Sequence, residues 1–314
     1  MANDTGLTTD TCIYMEAVTG DKGTHDNTGV WWLSPDIQLT GPISGPDKAD
    51  PGQSNTVNVN FHRKADDCVT LGDEAVTVEL WVGNPSLAMA PNNQASTFKI
   101  QIMGAAFPAP NATATQPFNW TPPNGLPASD PQSSGHKCLV ARCYSSSVSP
   151  SATNFFVPDD QHVAQHNICI VPCGGPGAAR RPGPCGFRVA TVNLNKRKAE
   201  TVTLRAVVDL KPNKFVRQVV LQRLEKTKGF RRLATTAPRG FKFELPDFPK
   251  AEVNDKLRNG YEAKIQLKRG QFTNFTFVAD LSKASFGDAY IFHLTQTGAD
   301  GHAQGGLTIV MIAV

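Results

Sequence analysis

Nowhere in this chain of 314 residues do apolar side chains accumulate toward the ~20 consecutive positions that a membrane-spanning helix needs. The first ten residues, MANDTGLTTD, lack the charged-then-apolar layout of a signal peptide. Three routes stay open: retention where the chain is made, removal of a targeting segment, or export by another path to the cell surface or beyond. Charge is sparse, 18% against 40% apolar residues, a globular balance that excludes wholesale disorder. Gly (26) and Pro (23) are plentiful but follow no triplet period, which excludes a collagen-like rod. No GxxxxGK[ST] phosphate cradle and no Gly-flanked nucleophile elbow occur, and the seven cysteines contain no CxxC pair. The expectation is a non-enzyme with no catalytic residue and no cofactor.

The length suits about two domains, and the charge divides the same way. Residues 1–171 hold 7 Lys/Arg against 16 Asp/Glu, a net of −9, whereas residues 172–314 hold 24 against 11, a net of +13. Period-two alternation recurs through both halves, while amphipathic helical patterns are nearly absent. Val57, Val59 and Phe61 share a face, as do Val76, Val78 and Leu80, then Phe98, Ile100 and Ile102. Leu139, Ala141 and Cys143 repeat the pattern, and 167–171 reads as a further strand. In the second half Val202, Leu204, Ala206 and Val208 alternate, followed by 241–245, 263–267, 275–281 and 307–311. Turn clusters such as Gly41-Pro42 and Asp50-Pro51-Gly52 separate the strands. The stretch 104–135, rich in Pro, Ala, Asn and Ser, reads as a mobile loop in preference to an ordered excursion. Short helical turns are all the helix expected.

The predicted architecture is all-β, with two immunoglobulin-like β-sandwich domains in tandem. Residues 1–27 form an arm, 28–171 the first sandwich with its insertion near 104–135, 172–186 a Gly/Pro linker, and 187–314 a second, basic sandwich. Val30-Trp31-Trp32-Leu33-Ser34-Pro35-Asp36-Ile37, Asp50-Pro51-Gly52-Gln53-Ser54-Asn55 before Val57-Asn58-Val59, and Glu79-Leu80-Trp81-Val82-Gly83-Asn84-Pro85 carry a resemblance. With His136-Lys137-Cys138-Leu139-Val140-Ala141-Arg142 and His162-Val163-Ala164-Gln165-His166-Asn167-Ile168, they cover 30–171. This region resembles the CARDB-like, cell-adhesion-related immunoglobulin modules of bacterial proteins. Leu267-Lys268-Arg269-Gly270-Gln271 and Gly305-Gly306-Leu307-Thr308 resemble another such module. The insertion and the cysteines in or beside the strands depart from the pattern. The resemblance implies an immunoglobulin-like fold and a non-catalytic, adhesive or structural role.

His162, His166, Cys169 and Cys173 fall within twelve residues, but on an extended chain residues four apart are ~13 Å apart, too far for one zinc. No metal is expected. Cys173 and Cys185 flank the linker and form a disulfide in an oxidising compartment or stay thiols in a reducing one. Trp31 and Trp32, if in a strand, face opposite ways, which makes them the exposed-aromatic candidates: one in the core, one for an edge, a partner or a sugar. Lys196, Arg197, Lys198, Arg223, Lys226, Lys228, Arg231, Arg232, Arg239 and Lys242 form a basic set suited to a glycan or other polyanion, or to assembly. The ordinary alternative is solubilising charge on hairpin edges. No nucleic-acid-reading motif accompanies the set. The acidic and basic halves also suggest head-to-tail homo-oligomers or union with another structural protein, with Cys12-Ile13-Tyr14-Met15 adding a strand to a neighbour.

Overall fold

In the computed structural model the described residues are 12–25, 29–65, 75–91, 93, 96–145, 148, 150–155, 157–174, 182–195, 197–225 and 227–314. Among them are twenty strands and a single α-helix, so the protein is all-β. It forms two compact units, Met1–Asn84 with Met89–Asn167, and Pro85–Ala88 with Ile168–Val314.

The first unit is a sandwich built on the alternation seen in the sequence. Along Asn55–Arg63, Val57, Val59 and Phe61 are fully buried while the residues between them are partly exposed. This strand pairs antiparallel with Ile37–Gly41 on one side and Thr113–Trp120 on the other. The facing sheet runs in the order Phe98–Ala106, Ala75–Gly83, Cys138–Ser145, then residues 163–167. Ile37, Leu39, Val57, Phe61 and Phe118 from one sheet meet Val76, Val78, Leu80, Val82, Leu139 and Ala141 from the other. Full burial of each large apolar side chain contributes about 1.5–3 kcal/mol, which makes this layer the main source of the unit's cohesion.

Three expectations need correction here. The 104–135 stretch is no mobile loop: Thr113–Trp120 is a strand whose even-numbered residues turn inward, Phe118 and Trp120 reaching the core. Cys12-Ile13-Tyr14-Met15 is not a strand for a neighbour either. Ile13–Tyr14 pairs with Arg63 and His62, and Ile13 and Met15 are fully buried in their own unit. Trp31 and Trp32 are both buried, at 2% and 4% exposure, and pack edge to face at 5.4 Å. They lie in a turn, where strand alternation does not apply. Residues 1–11 and 26–28 lie outside the described residues.

In the second unit one sheet runs Glu252–Asn254, Gly260–Leu267, Glu200–Asp209, Asp288–Thr297, Ala303–Ala313. Residues 168–173 pair parallel with Ala303–Ala313 and continue it. The other sheet is Pro184–Val192, Phe272–Asp280, Gly240–Glu244. Phe243, Phe275, Phe277 and Phe292 bring rings of both sheets to centroid separations of 5.0–5.9 Å. Cys173 and Cys185 are joined by a disulfide. Its loop is the Gly/Pro stretch, of which 175–181 lie outside the described residues.

The helix Lys214–Leu224, 11 residues long, exceeds the short turns expected. Asn213 caps it by accepting the Val216 N–H at 2.9 Å, and Val216, Val220 and Leu224 are its buried stripe. Its run KFVRQVVLQRL is rich in Val and Phe, residue types that favour strand as readily as helix, which masks the helical period in the sequence.

Candidate binding face of the second unit

Strand alternation leaves one face of Glu200–Asp209 and its two neighbours outside the core. Val202, Leu204, Ala206 and Val208 point into the sandwich, so Thr201, Thr203 and Arg205 point out. Register fixes what lies beside them. Thr203 is flanked by Lys264 and Thr297, Arg205 by Glu262 and Thr295, and Thr201 by Gln266. A shallow trough of about 480 Å³ runs over Thr201, Thr203, Arg205, Glu262, Lys264 and Thr297. A second, of about 430 Å³, shares Thr201 and Lys264 and extends over Gln266, Glu252, Asp247, Phe248 and Pro249.

The polar groups of this face are uncommitted. Among the described residues, no hydrogen bond or ion pair engages the side chains of Thr201, Thr203, Arg205, Glu262, Lys264 or Gln266. Three cations (Arg205, Lys250 and Lys264) and three carboxylates (Asp247, Glu252 and Glu262) leave it near neutral. Hydroxyls and an amide supply both donors and acceptors, and Phe248 with Pro249 adds an apolar floor. An open trough with these groups can hold an extended polar ligand better than a compact apolar one.

The basic set predicted from sequence is differently disposed. Arg232 binds Asp288 at 2.7 Å, Arg239 binds Asp280 at 3.7 Å, and Lys242 binds Glu244 at 3.4 Å. Arg231 lies over the Phe286 ring at 5.4 Å. Arg223 belongs to the helix, and Lys228 is exposed beyond it. Arg197 and Lys198 sit in the turn that follows Val192, which pairs with Phe272, whereas Arg239 and Lys242 lie near Asp280. About eight residues of strand, roughly 26 Å, separate the two ends. Lys196 and Lys226 lie outside the described residues. The described members therefore do not form one patch, and several already neutralise a carboxylate.

The first unit concentrates its polar chemistry in pairs built on buried carboxylates. His62 Nε2 meets Asp36 at 2.9 Å, His162 Nδ1 meets Asp160 at 2.7 Å, and His166 Nε2 meets Asp47 at 3.0 Å. Glu79 takes Arg142 at 2.7 Å and Lys99 at 2.8 Å. Arg142 and Lys99 both lie over the Trp81 ring, at 4.6 and 4.7 Å. These groups satisfy one another and anchor loops to strands. Among the described residues, no group of three or more His, Cys, Asp or Glu side chains is arranged around a metal position. No helix among them is long and apolar enough to cross a membrane.

Thr, Glu, Lys and Gln at alternate strand positions are also what plain solvation requires, so the outer face carries no signal of its own in the sequence. Only register shows that they converge, and only the bonding pattern shows that they are unspent.

No protein-family model matches the sequence, and neither does any curated protein. Among solved structures, the collagen adhesin of S. aureus aligns over 88% of this chain and 93% of its own, at 7% identity and a TM-score of 0.25. The C-terminal domain of the antigen I/II-family protein AspA of Streptococcus pyogenes aligns over 90% and 100%, at 8% identity and a TM-score of 0.24. Red sea bream transglutaminase aligns over 88% of this chain and 31% of its own, at 10% identity and a TM-score of 0.21. At these TM-scores the likenesses fix neither topology nor activity for this chain.

Proposed function

We propose that the protein is a non-enzymatic binding protein of the adhesive or structural kind, and that its second unit takes an extended, hydroxyl-rich glycan along the outer sheet face. One observation carries the reading: six polar side chains on two adjacent strands line adjoining troughs and make no bond to any described residue. Vicinal sugar hydroxyls suit such a mixture of carboxylate, ammonium, guanidinium and amide groups, and the apolar side of a sugar ring suits Phe248 and Pro249. The resemblance of residues 30–171 to CARDB-like modules supports the same reading, with 28–171 and 187–314 as two immunoglobulin-like modules of a cell-surface or extracellular protein.

The polyanion alternative is less well supported, because Arg232, Arg239 and Lys242 already hold carboxylates. Head-to-tail assembly rests on the −9 and +13 halves alone once Ile13 and Met15 are placed in their own core.

The test is retention of full-length protein on neutral-glycan and heparin resins at low and high salt. Neutral-glycan binding that survives high salt, and falls about tenfold with Lys264→Ala or Thr203→Arg, is the expected result. Failure to bind any neutral oligosaccharide overturns the reading, and salt-labile retention on heparin alone replaces it with the polyanion one.

A further inference from the structure

Among the described residues the strand Phe98–Ala106 is an unguarded edge of the first unit, and we infer that two copies of the protein pair there, antiparallel, about a two-fold axis at Met103. The strand bonds to Ala75–Gly83 on one side, and among the described residues no backbone bond reaches its other side. A row of N–H and C=O groups is thus left for a further strand.

Three other edges are protected. Thr113–Trp120 contains Pro117, Gly240–Glu244 carries Lys242 and Glu244, and Glu252–Asn254 is three residues long with Glu252 in it. Phe98–Ala106 has nine residues, no proline and a single charge, Lys99, which Glu79 already holds at 2.8 Å. Phe98 is 39% exposed and Ile102 52%, both large apolar side chains left in water.

The occupant is a second copy because the segment complements itself. A register irregularity at Ile100 ends the regular pairing, which runs through 101–106. A two-fold axis perpendicular to the sheet keeps each face continuous, so opposed residues must share a face. With the axis at Met103, Ile102 of each copy lies opposite Gly104 of the other, and Gln101 opposite Ala105. Ile102 and Gly104 do share a face, since they pair with Glu79 and Thr77 two residues apart. A Cβ added at Gly104 would meet nothing within 4 Å, so the space that Ile102 of the second copy needs is there. No charge lies in 101–106 to repel its twin. One short strand pair falls below the ~1,200–2,000 Å² of a tight interface, so the dimer is weak and reversible.

Sedimentation velocity of the full chain over a hundredfold concentration range, at about 0.05 and 0.5 M salt, tests the inference. The expected result is a monomer–dimer equilibrium little changed by salt, weakened about tenfold by Ile102→Lys and by Gly104→Glu. An equimolar mixture of the two variants regains dimer, because the register sets the new charges opposite each other. Ile102 is half exposed and nothing crowds Gly104, so both variants should melt like the parent; if one does not, the other decides. Wild-type protein monomeric throughout, dimers indifferent to both substitutions, or dimers that dissolve in salt would each overturn the pairing. So would a mixture that stays monomeric.

Discussion

Asp36 ties three parts of the first unit together. It accepts the Glu16 N–H at 2.6 Å and His62 Nε2 at 2.9 Å, and its own N–H donates to Ser34 Oγ at 3.1 Å. Burial pushes the His62 imidazole down, but the hydrogen bond and charge of Asp36 outweigh it and hold the group above its ordinary value. A raised native value means stability that is fully present below the unfolded value, about 6.5, and lost as pH rises through the native one. His62→Ala should therefore cost about 1–2 kcal/mol near pH 6 and clearly less near pH 9, read from urea unfolding at each pH. A gap that is flat or widens with pH would contradict the pair. Gly305 gives a steric counterpart in the second unit: a Cβ there would collide with the Leu87 carbonyl oxygen. Gly305→Ala should cost at least about 2 kcal/mol, and a variant as stable as the parent would show that this approach is not rigid. Neither role is legible in the sequence, since a lone His and one Gly of a Gly-Gly pair gain these meanings only from distant partners.

Strands were legible wherever one face is apolar, as with Val57, Val59 and Phe61 or Val202, Leu204 and Ala206, because burial of one face imposes period two. Two elements were hidden for physical reasons. Thr113–Trp120 alternates, but Pro117, Thr and Asn on its open side imitate a loop. The helix Lys214–Leu224 owes its place to three side chains and a cap. Asn213→Ala should destabilise the second unit by about 1 kcal/mol and Val220→Ala by about 1–3 kcal/mol, measured by chemical denaturation. An unchanged midpoint for Val220→Ala would mean that the helix is not docked. The Trp31–Trp32 pair misleads at the same scale: opposite facing holds for strands, and these two residues occupy a turn.

For the whole molecule, the charge switch near residue 171 falls close to the division at 167/168, yet the division is not a clean cut. Pro85–Ala88 belongs to the second unit, where Leu87 N–H donates to Ala190 O at 2.9 Å and Ala190 N–H to Pro85 O at 2.8 Å. A fragment 187–314 lacks those residues and also 168–173, the parallel partner of Ala303–Ala313, whose residues 305–313 are all buried. That fragment is expected to show no cooperative thermal transition and the full chain to show one; a fragment that melts like the parent would make the missing residues dispensable. In this respect the second unit is not a cassette. A recombination event that copied only the C-terminal half of the gene would leave behind four residues encoded some eighty codons upstream of the division. The two halves are therefore expected to be inherited together and to diverge together, instead of being shuffled into other chains one at a time.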